Sequence, residues 1–318
     1  MWLGFAFLSA ILLGFYDVFK KKSLKDNPVI PVLFLNTLFS SLLLLPLLLL
    51  SVNGVVDEDS LFYAHSYGWE GHRLFLLKAV IVMSSWICGY IGIKNLPITI
   101  VGPINATRPV MVLIGALTFL GEKLNVWQWI GVVVAIISFY LLSRSGKKEG
   151  IDFKHNKWIF FVIMANILGA VSALFDRWLL SPQSVHFDQV SVQIWNNVYQ
   201  CGMLAIILIV QYIISHTPQN PQNHSEPSEP FRTSKFPLQW RWSILMISVC
   251  LTLADFVYFT SLSQGAAMVS IVSMIRRSSV VVSFLCGALI FKEKNLRSKL
   301  LDLLLVILSL LFLFYGSL

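Results

Sequence analysis

"LTFLGEKLNVWQWIG" occupies residues 117–131 and "ALIFKEKNLRSKLLD" residues 288–302. Each is an apolar stretch that stops at a glutamate followed by lysine and then turns into another apolar stretch, and aligning them sets Glu122 on Glu293. Two shorter matches keep the same order. "LLGFYDVFK" (12–20) aligns with "AVSALFDRWLL" (170–180), which sets Asp17 on Asp176, and "NTLFS" (36–40) aligns with "NNVYQ" (196–200), which sets Asn36 on Asn196 and Ser40 on Gln200. The chain therefore divides into a first repeat, 1–143, a basic connecting loop, 144–157, and a second repeat, 158–318.

The solvent for these repeats is lipid. Of the 318 residues 56% are hydrophobic and only 13% are charged, too few charges to cover a water-soluble surface of this size. Apolar runs fall at 2–19, 29–52, 74–93, 98–120, 126–143, 158–180, 190–214, 243–262, 266–291 and 300–316. Stretches of about 20 apolar residues match a hydrocarbon core about 30 Å thick at about 1.5 Å per helical residue. The expected fold is an all-α integral membrane protein of ten transmembrane helices. Five crossings per copy is an odd number, so the second copy is inverted, and inverted repeats place a binding site at their interface near the midplane. No basic residue precedes the first run while Lys20, Lys21, Lys22 and Lys25 follow it, the reverse of a cleaved signal peptide. Residues 215–241, rich in Pro, Ser, Asn and Gln, read as a flexible loop.

Basic residues orient such a bundle, because they stay on the cytoplasmic side. Seventeen lysines and arginines lie at odd-numbered connections and four at even-numbered ones. The expectation is a multi-pass protein of the cell membrane (the inner membrane in a Gram-negative cell) with both termini extracytoplasmic. The net charge of +8 then belongs to loops at the membrane surface, not to nucleic-acid binding.

"ATRPVMVLIGALTFLGEKLNVWQWIG" (106–131) resembles the closing two helices of a half of the EamA-like family, in the drug/metabolite transporter superfamily. With the ten-run duplication the resemblance covers nearly the whole chain. It implies a transporter whose central cavity is walled by runs 1–4 and 6–9, with runs 5 and 10 peripheral. The second half departs from the pattern: Val280 replaces the proline, and Lys292 replaces the glycine before the glutamate. The resemblance also implies cytoplasmic termini, against the charge count, which is followed here.

Polar residues inside the runs mark the candidate path. Gln193, Asn196, Asn197 and Gln200 stand at i, i+3, i+4 and i+7 on the seventh run, one face of one helix. Four amides do not face lipid unpaired, so they line a cavity or bond neighbouring helices. Asn36 is their counterpart on the second run, and Asn105 and Arg108 lie on the fourth. "SMIRRSSVVVSF" (273–284) sets Arg276 and Arg277 at the middle of the ninth run. Arginine at that depth is expensive and marks an ion or substrate pathway. Asp255 is the acid nearest their depth, whereas Asp17 and Asp176 lie about a turn from their run ends. The expected substrate site is thus Arg108, Arg276, Arg277, Asn105, Asn36, Gln193, Asn196, Asn197 and Gln200, with Asp255, Asp17 and Asp176 in ion-pairing or coupling roles.

Catalysis and cofactors are not expected. The six histidines lie in loops or at run ends, the four cysteines lie inside apolar runs, and no phosphate-binding glycine loop occurs. The leading reading is a secondary, non-ATP transporter of a small anionic or zwitterionic metabolite, working by alternating access. An exporter of cationic or amphipathic compounds and a lipid flippase remain open, while a scaffold would not need polar stripes on eight helices. Expected partners are a small-molecule substrate and the bilayer, with no nucleic acid, and the protein as monomer or homodimer.

Overall fold

The computed structural model describes residues 2–58, 60, 62–108, 110–112, 114–115, 125–127, 129–131, 133–134, 137–138, 141, 156–180, 185, 187–216, 238–263, 275–276, 278–290 and 296–316. Arg277, Glu122, Glu293, Lys292, most of the connecting loop 144–157 and most of the loop 215–241 lie outside the described residues.

The described residues are helical wherever they are regular. The elements run α1 (Trp2–Leu24), α2 (Val29–Val52), α3 (Trp69–Asn95), α4 (Ile98–Ala106), α5 (Lys157–Leu180), α6 (Gln189–His216), α7 (Trp242–Ser263), α8 (Ser279–Ile290) and α9 (Leu296–Tyr315). Further helical residues occur between 108 and 115 and between 126 and 141. Local chemistry punctuates them. Leu96 adopts φ −120° and ψ 154°, the extended conformation that a following proline imposes, so α3 ends and Pro97 leads into α4. Between α1 and α2 the chain reverses through Asp26 at φ +62°, a left-handed conformation that Asp tolerates better than most residues.

Val29–Val52, Trp69–Asn95, Lys157–Leu180 and Gln189–Ile213 are long and apolar enough to cross a membrane. Their outer faces carry exposed Leu42, Leu43, Leu76, Leu77, Phe160, Ile206, Ile209 and Ile213, as lipid-facing surfaces require. Inside, α1 packs most extensively on α7, α3 on α5, and α2 on α6, and α4 meets α8. Gly92 of α3 lets the α3–α5 pair close: a Cβ there would collide with Val162, the small-residue device of membrane helix packing. The apolar core shared by these helices includes Leu24, Leu33, Tyr90, Ile104, Ile159, Leu204 and Ile247.

The two ends of the bundle differ in charge. At one end Lys21 donates to the carbonyls of Ile93 and Leu96, both at 2.6 Å. There Arg241 donates to the Lys22 carbonyl at 2.9 Å, and Asn27 donates to the Gln239 carbonyl at 3.0 Å. These contacts gather three odd-numbered connections at a basic end. At the other end the 53–68 connection docks against α6: Tyr67 donates to Asp188 Oδ2 at 2.9 Å, and Ser191 donates to the His65 carbonyl at 3.0 Å. Burial, followed by the charge of Asp188, pushes the Tyr67 hydroxyl up to about 12, so it stays a donor.

Candidate substrate cavity

A cavity of about 230 Å³ lies at the centre of the bundle. Its walls come from α1, α3, α4, α5, α6, α7 and α8 and from the neighbouring residues Arg108, Val112 and Arg276. Arg108, Arg276, Asn105, Gln193, Asn196 and Asn197 line it, and so do Asp17, Asp176 and Asp255. Asn36 and Gln200 do not line it, though both are fully buried. No residue of α2 reaches the cavity. The expectation that the second run walls it is corrected on this point, because α2 is held away behind α6 and α7.

Most charge in the cavity is paired. Lys20 contacts Asp17 at 2.8 Å, with its ammonium over the Tyr16 ring at 4.3 Å. Lys78 of α3 pairs with Asp176 of α5, and Arg276 pairs with Asp255 of α7 while its guanidinium lies 4.2 Å from the Tyr258 ring centre. Each acid thus has a cation within reach in a region of low dielectric, where an unpaired one would be expensive. Asp17 and Asp176, expected near run ends, instead face inward, and Asp17 also accepts from Ser283 of α8 at 3.4 Å.

Arg108 differs. Among the described residues the cavity has four cations, Lys20, Lys78, Arg108 and Arg276, against three acids, and Arg108 is the cation with no acid bonded to it. Its Nε donates to Asn166 Oδ1 at 3.2 Å, and Asn166 in turn donates to the Ile104 carbonyl at 3.0 Å. Gly169, three residues along α5, makes room for the guanidinium: a Cβ there would sit 2.5 Å from Arg108 Cζ. Asn166 and Gly169 form a cradle that fixes the direction of the fork without neutralising it. Neither was singled out in the sequence, because an Asn and a Gly on an apolar helix read as ordinary packing residues. Lys20 and Lys78 were counted with the membrane-surface charges, yet they are 7% and 4% exposed. The one available signal was their spacing from acids: Lys20 lies three residues from Asp17.

Among the described residues no cluster of His, Cys, Asp and Glu could hold a metal ion.

Membrane-length apolar helices around a charged cavity define a multi-pass membrane protein with an internal polar site. Residues 1–144 match the EamA-like transporter family, a family of transporters. An uncharacterized transporter of Archaeoglobus fulgidus is 24% identical over 173 residues, 52% of this chain and 55% of that protein. The match therefore spans about half the length of that curated relative. A protein of known crystal structure is similar in fold at a TM-score of 0.60 and 12% identity, over 96% of this chain and 94% of that one.

Proposed function

We propose that the protein is a secondary transporter built as two inverted five-helix repeats, 1–143 and 158–318, which carries a small anionic or zwitterionic metabolite through the central cavity by alternating access. The repeat reading is supported by the packing. Exchanging the halves turns the α1–α7 pair into the α5–α3 pair and leaves the α2–α6 and α4–α8 pairs unchanged. A bundle assembled without an internal two-fold relation has no reason to pair its helices this way.

Arg108 carries the substrate reading. A buried guanidinium held by a neutral amide calls for an anion, and its planar fork suits a carboxylate or phosphate. Among the described residues each cavity acid is already engaged by a cation, so a cationic drug would find no spare carboxylate there. At about 230 Å³ the space is also smaller than the roughly 300–1,000 Å³ typical of pockets for drug-sized ligands. Arg276 and Asn196 flank the same space, Asn105 and Asn197 supply neutral hydrogen bonds, and the Asp pairs are the sites where coupling would act.

The test is a thermal-shift screen of the purified protein against carboxylates, phosphates and amines, since a ligand of the folded state raises its apparent stability. Small anions are expected to stabilise the parent, and Arg108→Gln to remove that response while the protein still folds. Best ligands that prove cationic would overturn the reading. For orientation, a reporter fused to the C-terminus is expected outside, because the basic end of the bundle belongs in the cytoplasm; activity only in the cytoplasm would reverse that assignment.

A further inference from the structure

The junction of α2, α6 and α7 holds polar side chains that nothing yet accounts for. Asn36 and Ser40 of α2, Asn196 and Gln200 of α6 and Thr252 of α7 are each at most 9% exposed. Asn36 Oδ1 and Nδ2, Ser40 Oγ, Asn196 Oδ1, Gln200 Oε1 and Nε2 and Thr252 Oγ1 make no hydrogen bond among the described residues. A buried polar atom left unmade costs about 1–3 kcal/mol, and native structures hold few of them. Five such side chains on three adjoining helices need a common explanation.

Their register brings them together. Cys201 lies beside Thr37 across the α2–α6 crossing, and Leu44 packs with Val190 and Ile194. The two helices are therefore antiparallel, with Asn36 and Ser40 level with the stretch from Asn196 to Gln200. Ser248 donates to the Asn36 carbonyl at 3.1 Å, so Thr252, one turn on, stands beside Ser40, also one turn on. Gln193 donates to the Thr252 carbonyl at 3.4 Å, which puts α7 on the Gln193 side of α6. Gln200, at i+7 from Gln193, shares that side. Trp195 and Tyr199 turn the other way, to His72 of α3.

We propose that Asn36, Ser40, Asn196, Gln200 and Thr252 form a binding site for a desolvated alkali-metal cation. They supply five neutral oxygens. None of the five carries a positive charge, so they make no anion site. None carries a carboxylate, which a hard divalent ion recruits. Rings of neutral oxygens that replace a hydration shell are the mode by which membrane proteins hold monovalent cations. The matched pairs also explain why the duplication places an amide or hydroxyl at 36, 40, 196 and 200, although only Asn196 reaches the cavity. Asn196 would let ion and cavity contents sense each other; that coupling alone rests on the proposed function.

The experiment uses the purified full-length protein without substrate. Its unfolding midpoint is measured in sodium, potassium and choline chloride at equal ionic strength. A saturable rise with sodium or potassium over choline is expected. Thr252→Val and Ser40→Ala, which change little volume, should raise the half-saturating concentration about tenfold, equivalent to about 1.4 kcal/mol. Equal midpoints in all three salts would mean that the junction holds water only, and would overturn the site. So would an unchanged cation response in both variants. The titration of the parent protein decides the matter even if a variant does not fold, and because chloride is common to all three salts the comparison is independent of what the cavity carries.

Discussion

The cavity and the α2–α6–α7 junction lie side by side and follow opposite rules. Among the described residues of the cavity each carboxylate meets a cation, and a single guanidinium is left over. In the junction nothing is charged and almost nothing is bonded. Ion pairs in low dielectric are stable only as pairs, so deleting one member hurts more than deleting both. Unbonded neutral groups behave in reverse, because removing one removes a desolvation penalty. The same kind of substitution, polar to apolar, is therefore expected to change sign over the distance of a helix width.

The largest effect should come from splitting a pair. Lys78→Met leaves Asp176 buried without its cation and is expected to lower stability by about 3 kcal/mol or more in a denaturation series. Adding Asp176→Leu should return most of it, and a double variant as weak as the single one would break the rule for the cavity. Next comes the cradle. Gly169→Ala drives a methyl group into Arg108, and anion binding should weaken by about ten- to a hundredfold, the worth of a charged hydrogen bond of about 1.5–3 kcal/mol, with the midpoint moving less. In choline chloride Gln200→Leu should then raise stability by about 1 kcal/mol; a drop of that size would erase the contrast. A change of similar size lies outside both regions. Tyr67→Phe removes the tether to Asp188 and should lower stability by about 1 kcal/mol. Because the folded hydroxyl is raised from 10.0 to about 12, its contribution is full below about pH 10 and is lost as pH rises toward about 12.

Much of this was legible in the sequence. Apolar runs gave α1, α2, α3, α5, α6 and α7 within a few residues, because crossing length and hydropathy are local properties. Asp255 with Arg276, and the polar faces of α4 and α6, were legible because ionisable and amide groups in apolar runs need partners. Sorting the α6 stripe was not. Gln193 and Asn197 reach the cavity while Gln200 faces the junction, a division set by which third helix packs alongside. Lys20 and Lys78 were misplaced for a related reason: whether a lysine near a run end snorkels outward or turns inward depends on helix tilt, which sequence spacing does not encode. Asn166 and Gly169 gain their meaning only from Arg108, across 58 residues of chain.

The unneutralised guanidinium has an electrical consequence. Counting the described residues, an empty cavity carries one positive charge, whereas a cavity holding a monovalent anion carries none. Membrane voltage acts on a moving charge with about 2.3 kcal/mol per elementary charge per 100 mV. Under the proposed function, a carrier loaded with that anion alone would therefore change face almost without regard to voltage, and the empty carrier would not. In an energised cell, negative inside, Arg108 would hold the unoccupied protein toward the cytoplasm, so that its resting posture would become a readout of membrane potential.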